Sequence, residues 1–160
     1  MSGPVQAASA PISLFEVYAA ELRVHAVTLI WLAFRRLNAT SLATKEEDDI
    51  TGELVREARK VLQDPSSPEW VSHYGIREQS PQNTGGKLGK RRPKIDIEFE
   101  RNTRGLRPCL GFEAKRLGRG GRLADYLGSE GLARFLGCYY PTTHGDAAML
   151  AYVQAKSTGE

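Results

Sequence analysis

The sequence predicts an α/β (α+β) fold in which a mixed central sheet is flanked by helices. Residues 92–99 and 110–117 alternate apolar with charged side chains, as strands do when one face is buried. Residues 13–37 and 44–62 instead repeat apolar side chains at helical spacing. The chain has 160 residues, of which 41% are hydrophobic, so we expect a single domain with a substantial core.

The N-terminal helical region is predicted to occupy residues 13–43, after a small, polar and mobile segment at 1–12. Ser13 can cap the helix, with Glu16 three residues later as its capping-box partner. Apolar residues lie around most of this helix. It is therefore either buried in the core or exposes one face to a partner, in a homodimer or with another protein.

The second helix opens a core region that is predicted to span residues 44–156. Its acidic first turn suits the positive end of the helix dipole. At about 100° per residue, Ile50, Leu54 and Ala58 fall on the same side as Glu47, whereas the neighbouring acids point elsewhere. An unpaired carboxylate on a core-facing stripe is costly. Glu47 is thus predicted either to serve a site or to act as a partner of the helix dipole.

Residues 65–94 are rich in proline and glycine and are predicted to be mostly loop, with room for one further strand. Trp70 and Tyr74 belong to a short aromatic stretch that either covers the core or stacks on a base of nucleic acid. The basic run from Gly85 to Lys94 is either a disordered loop or a contact for a nucleic-acid backbone.

The two alternating strands carry the candidate chemistry. In the first, the apolar residues at 95, 97 and 99 form one face, which places Asp96 and Glu98 together on the other. In the second, Glu113 and Lys115 share a face. Turn residues between the strands predict a hairpin that brings Asp96 beside this pair. Two acids beside a lysine can hold a hard divalent cation through oxygen.

Beyond Lys115, the glycine-rich segment 118–122 lacks the spacing of a nucleotide-binding loop. Residues 123–139 are predicted to form a helix, broken near Gly128, and residues 147–153 a buried strand. On this helix, Arg134 either binds a phosphate or pairs with Glu130 one turn earlier.

Positive charge is concentrated around the predicted site. Residues 87–122 contain twelve Lys and Arg against four acids, whereas the rest of the chain has a net charge of −5. Such a segment attracts a phosphate backbone, so nucleic acid is the predicted partner, and a solvated basic face is the alternative. The candidate contacts to nucleic acid are Lys90, Arg91, Arg92, Arg116, Arg119, Arg122 and Arg134.

The two cysteines, Cys109 and Cys138, form neither a disulfide framework nor a metal-ligand spacing, which fits a reducing compartment. We expect no signal peptide, and the most apolar run, at residues 26–34, is too short to span a bilayer. The predicted location is the cytoplasm.

Asp96, a gap of sixteen residues and then Glu113-Ala114-Lys115 resemble the active-site signature of the PD-(D/E)xK nuclease superfamily, which has a restriction-endonuclease-like core. The resemblance covers residues 46–153, with Ile95 where members often carry proline. It implies that Asp96 and Glu113 bind Mg²⁺, for which Mn²⁺ can substitute. It also implies that Glu47 completes the metal site and that Lys115 positions or activates the attacking water.

The resemblance implies a metal-dependent nuclease that hydrolyses phosphodiester bonds, with DNA favoured over RNA. Segments around Glu47, 112–117 and 126–135 are also similar to uncharacterised bacterial nuclease-like proteins, some linked to phage defence. A role in defence, restriction or repair of DNA is therefore expected. The alternatives are a catalytically silent nucleic-acid-binding module and an oligomeric accessory subunit with the same fold.

Overall fold

The computed structural model describes residues 13–82, 90, 92–102, 104–105, 107–118, 123–136 and 145–154. Helices precede the first strand, and two short helices lie before the last one. The order is α1 (Leu14–Phe34), α2 (Ala39–Leu42), α3 (Glu47–Gln63), a 3-10 helix (Glu69–His73), β1 (Tyr74–Pro81), β2 (Lys94–Arg101), β3 (Cys109–Gly118), α4 (Leu123–Leu127), α5 (Leu132–Leu136) and β4 (Gly145–Gln154). The predicted mixture of helices and strands is confirmed.

The strands form one mixed sheet in the order β1-β2-β3-β4. β2 is antiparallel to both β1 and β3, whereas β3 and β4 are parallel. The predicted hairpin is thus formed by β2 and β3, and β1 is the further strand for which the loop-rich segment left room. Parallel neighbours need a crossover connection, and α4 and α5 lie on the one that joins β3 to β4.

Helices α1 and α3 pack on one face of the sheet. Phe99 and Phe112, on neighbouring strands, meet edge to face with ring centroids 5.8 Å apart in the centre of this layer. Full burial of one large apolar side chain contributes about 1.5–3 kcal/mol, so this layer is the main source of stability. Its buried members include Leu22, Ala26, Leu29, Ala33, Leu54, Val55, Ala58, Val61, Ile97, Phe99, Leu110 and Phe112.

The capping box predicted for α1 is confirmed. Ser13 Oγ accepts a hydrogen bond from the Glu16 N–H at 3.2 Å, and the Glu16 carboxylate accepts one from the Ser13 N–H at 2.7 Å. The helix ends at Phe34 rather than near residue 37. By length and composition α1 could cross a membrane, and its buried residues Leu22, Ala26 and Leu29 belong to the core cluster that α1 shares with α3 and the sheet.

The aromatic stretch before β1 covers the core. His25 of α1 stacks on Trp70 with ring centroids 4.1 Å apart and shares a 2.6 Å hydrogen bond with the Tyr74 hydroxyl. Tyr74 is itself buried, and Trp70 packs against the buried cluster. Of the two predicted alternatives, the structure therefore agrees with the one in which this stretch covers the core.

The segment predicted as a helix at residues 123–139 consists of α4 and α5, which are separated near Gly128 as expected. The intervening turn brings backbone close together, since a Cβ added to Gly131 would lie 2.1 Å from the Tyr126 carbonyl oxygen. Residues 137–144 lie outside the described residues. The strand predicted at 147–153 is β4. Leu150 and Tyr152 are partly buried against the core, whereas Val153 is 78% exposed, so the expectation of a buried strand is correct only in part.

Candidate active site

The site lies where β2 and β3 separate. Their antiparallel pairing ends with Ile97 opposite Phe112, whereas β3 continues alongside β4. Asp96 is one residue beyond the last pair, and its carboxylate, instead of its backbone, contacts β3. Its Oδ2 accepts a hydrogen bond from the backbone N–H of Ala114 at 2.8 Å. Asp96 is therefore attached directly to the segment that carries the predicted glutamate and lysine.

The strand alternation changes at this position. Residues two apart lie on the same face of an unbroken strand. On β1, however, the Glu78 carboxylate lies against Gly52 of α3, whereas Ser80 Oγ donates a 2.9 Å hydrogen bond to Glu98 on the opposite face. Gln79, between them, has a φ of 51°, in the left-handed region. At Gln79, therefore, the side chains of β1 change the face of the sheet on which they lie.

The predicted apolar face of β2 is correct for Ile97 but wrong for Ile95. A Cβ added to Gly111 would lie 2.1 Å from Ile95 Cδ1, and Gly111 pairs with Glu98. Ile95 is thus buried on the face of Glu98, opposite to Ile97. The regular alternation that was expected to place Asp96 and Glu98 together does not extend through Asp96, because both strands turn over there.

Lys115 is the central cation of the site. Its Nζ lies 2.9 Å from Glu47 Oε1 and 3.4 Å from Glu113 Oε1. Burial by itself would lower the pKa of Lys115, but the hydrogen bond to Glu47 and the attraction of Glu47, Glu113 and Asp96 outweigh it and raise that pKa. The ammonium is therefore held in its charged form among three carboxylates.

Glu113 is buried between two cations. Its side chain is 2% exposed, and Arg134 Nη1 donates a 2.9 Å hydrogen bond to the same Oε1 that faces Lys115. Arg134 also forms the predicted ion pair with Glu130. A carboxylate so deeply buried is tolerated only when it is paired, and these cations supply that pairing.

The first turn of α3 brings Glu47 to the site. Glu47 Oε2 accepts a hydrogen bond from the Arg116 backbone N–H at 2.9 Å, while Oε1 accepts one from Lys115. Of the two predicted roles, the contacts favour a role in the site, because they place Glu47 beside the other candidate residues. Its acidic neighbours Asp48 and Asp49 are exposed.

Two further residues, Thr51 and Tyr152, support Glu47 and were missed from the sequence. Thr51 Oγ1 donates to the Glu47 carbonyl oxygen and lies 2.9 Å from Tyr152 Oη, both at hydrogen-bond distance. Burial raises the pKa of Tyr152, so its hydroxyl stays protonated. Helical spacing from Glu47 could have indicated Thr51, but no signal in the sequence connects it with β4.

Asp96 carries an electrostatic cost in this position. Burial raises the pKa of its carboxyl group, and the negative charge of Glu47 adds to that rise. The Ala114 N–H, Lys115 and the amide of Gln79 oppose it only in part. An additional positive charge near Asp96 would therefore stabilise its ionised form.

The candidate residues supply the type of ligand atom that a hard divalent cation takes, but they do not form a ready ligand set. Asp96, Glu113 and Glu47 offer carboxylate oxygens around one ammonium group, and oxygen is the ligand that Mg²⁺ prefers. In the part of the chain that the structure describes, no three His, Cys, Asp or Glu side chains meet as a ready ligand set. The carboxylates contact Lys115, Arg134 and backbone N–H groups instead.

The structure describes four of the seven predicted contacts to nucleic acid. Lys90 is exposed and Arg92 is half-buried. Arg116 forms an ion pair with Glu46 at 2.5 Å, and Arg134 belongs to the carboxylate cluster. Arg91, Arg119 and Arg122 lie outside the described residues, as does the segment 1–12 that was predicted to be mobile.

Comparison of the chain with models of protein families, with curated proteins and with solved structures finds no significant match. The arrangement of the residues themselves is therefore the basis for a functional assignment.

Proposed function

We propose that this chain is a metal-dependent nuclease with a restriction-endonuclease-like core. The observation that carries the proposal is the convergence of Glu47 and Glu113 on Lys115, with Asp96 bonded to the neighbouring Ala114 N–H, at the point where β2 and β3 separate. Asp96 and Glu113 would hold Mg²⁺ or Mn²⁺, with Glu47 in support. When bound, the metal supplies Lewis acidity and lowers the pKa of coordinated water.

Residues of the chain orient the metal ligands and stabilise the charge that develops in the reaction. Lys115, which stays protonated, donates hydrogen bonds to the attacking water and to the negative charge that develops on the phosphate. The backbone N–H of Ala114 fixes the orientation of Asp96, and Arg134 fixes that of Glu113. Burial of Glu113 and partial burial of Asp96 reduce the screening of these charges by bulk water.

The proposed substrate is nucleic acid, with DNA favoured over RNA. The excess of basic residues between 87 and 122 surrounds the carboxylates in the sequence, and such a segment draws a phosphate backbone by a salt-dependent attraction. We place the protein in the cytoplasm, in phage defence or in restriction or repair of DNA.

The test compares wild type with Asp96→Ala and Lys115→Ala on labelled single- and double-stranded DNA and RNA, in Mg²⁺, Mn²⁺ or EDTA. We expect metal-dependent cleavage by wild type and its loss in both variants. Asp48→Ala is a matched control, since Asp48 is an exposed acid next to Glu47, and it should cleave normally. Undiminished cleavage by Lys115→Ala would sink the assignment.

A catalytically silent nucleic-acid-binding module is the second candidate. The observation that favours it is that protein cations already pair with the carboxylates, Arg134 with Glu113 and Lys115 with Glu47. Such a module would bind nucleic acid equally well in EDTA and in Mg²⁺, with an affinity that falls as salt rises. Equal, metal-independent binding by wild type and Asp96→Ala, without cleavage, would favour it.

We also propose that a second copy of the chain packs on the outer side of α1. Val24, Val27 and Trp31 are exposed there, beside an apolar cavity of about 560 Å³ between α1, α2 and β4 whose lining contains no charged residue. β4 is a ten-residue edge strand with Asp146 as its only charged residue, so it lacks the charges that usually protect an edge. Two copies can pair such edges around a twofold axis without bringing like charges together.

A further inference from the structure

Gln79 adopts a backbone conformation that side chains rarely accept. Its φ of 51° makes it the one residue other than glycine with a positive φ among those that the structure describes. Glutamine has no special tolerance for this region, unlike glycine or asparagine. Such strain persists where the surrounding structure requires it, and it is concentrated at functional sites.

The strain has an identifiable structural result. The register of β1 with β2 runs from Glu78 opposite Ile97 directly to Ser80 opposite Ile95, so Gln79 and Asp96 are skipped. Instead of a backbone pair, a side-chain contact joins the two strands. Gln79 Nε2 donates a 3.1 Å hydrogen bond to Asp96 Oδ1.

Asp96 is therefore fixed at both oxygens. Ala114 of β3 donates to Oδ2, and Gln79 of β1 donates to Oδ1. Both donors are neutral. They orient the carboxylate without cancelling its charge, and each carboxylate oxygen can accept more than one partner. This is the kind of support that orients a carboxylate which also ligates a metal.

We propose that Gln79 is a positioning residue that holds the Asp96 carboxylate in the orientation needed to bind a divalent cation. The inference deepens the proposed function and rests on it for the metal, whereas the positioning itself stands on the two hydrogen bonds. The left-handed backbone and the hydrogen bond to Asp96 occur at the same residue, Gln79.

Two substitutions separate positioning from backbone strain. Gln79→Gly relieves the strain and removes the amide, and Gln79→Asn keeps a polar residue that tolerates positive φ but is one methylene shorter. If Gln79 served only the fold, both variants would be as stable as wild type or more stable and otherwise unchanged. If it positions Asp96, the contacts of the Asp96 carboxylate should change in both variants while the melting temperature stays the same or rises.

The first readout needs no metal. In ¹⁵N-labelled full-length protein, the Ala114 amide resonance should shift and its hydrogen-exchange protection should fall in both variants, because its acceptor is no longer held. The second readout is calorimetric titration with Mn²⁺, whose affinity should fall by about tenfold or more, as when other outer-shell partners are removed. Asp49→Asn, an exposed acid on α3, is the control and should change neither.

An Ala114 amide that is unaffected in both variants would overturn the proposal, as would unchanged Mn²⁺ affinity. Failure of wild type to bind Mn²⁺ would instead overturn the proposed metal-dependent function. In that case the Ala114 amide still decides whether Gln79 positions Asp96.

Discussion

Replacing Lys115 with methionine removes the cation on which the carboxylates of the candidate site converge. Its Nζ lies 2.9 Å from Glu47 and 3.4 Å from Glu113, whose side chain is 2% exposed. Removing one partner of a buried ion pair costs about 3–5 kcal/mol. Because Glu47 is partly solvated and Arg134 still pairs with Glu113, we expect a loss near the lower end, about 3 kcal/mol. For a domain of this size, that lowers Tm by about 6–12 °C.

The matched control is Lys60→Met. Lys60 also pairs with a glutamate, Glu57, at 2.7 Å, but its side chain is 58% exposed, so the loss should stay below about 1 kcal/mol. Urea denaturation of both variants, in EDTA and in Mg²⁺, measures the difference. We expect Mg²⁺ to restore part of the stability of Lys115→Met alone, since it can replace the missing positive charge. Equal losses in the two variants would refute the reasoning.

Three further predictions concern the fold and its surface. Burial lowers the pKa of His25, so the unfolded chain takes up a proton more readily than the folded one, and the free energy of unfolding decreases as the pH drops below about 6.5. Urea denaturation of His25→Gln should show a smaller decrease over this pH range, and an equal decrease would contradict the prediction. Phe99→Ala should cost about 3–5 kcal/mol in the same assay because the ring is fully buried, whereas the exposed Leu136→Ala should cost less than about 0.5 kcal/mol. Trp31→Glu should convert a dimer to a monomer in sedimentation velocity, and a persistent dimer would exclude this face as the interface.

Local signals in the sequence predicted the elements that local physics determines. Ser13 and Glu16 form their capping box because both partners lie within one turn of the same helix. The hairpin of β2 and β3 follows from two alternating segments joined by turn residues. Glu47 was distinguished from its acidic neighbours by its angular position, and it is the one that reaches Lys115.

The features that escaped prediction depend on contacts between distant segments. Alternation assumes an unbroken strand, and nothing in the residues around Gln79 announces a positive φ, so the reversal that moves Ile95 to the other face was not foreseen. The hydrogen bond from Arg134 to Glu113 joins residues that are 21 positions apart in the sequence. It depends on the orientation that the turn between α4 and α5 gives to α5. Helical spacing could indicate only its partner Glu130.

The two proposed functions differ in the role that they give to the buried carboxylates. A surface that only binds phosphate gains from basic residues, and carboxylates among them repel the ligand. Here Glu113 is almost fully buried within the most basic part of the sequence, and burial raises the pKa of Asp96. Carboxylates favour a nearby phosphate only when a divalent cation lies between the two. In the proposed nuclease these carboxylates would hold the cation, whereas in the silent module they would only form ion pairs with Lys115 and Arg134. The dependence of cleavage on metal is therefore a more decisive measurement than binding affinity.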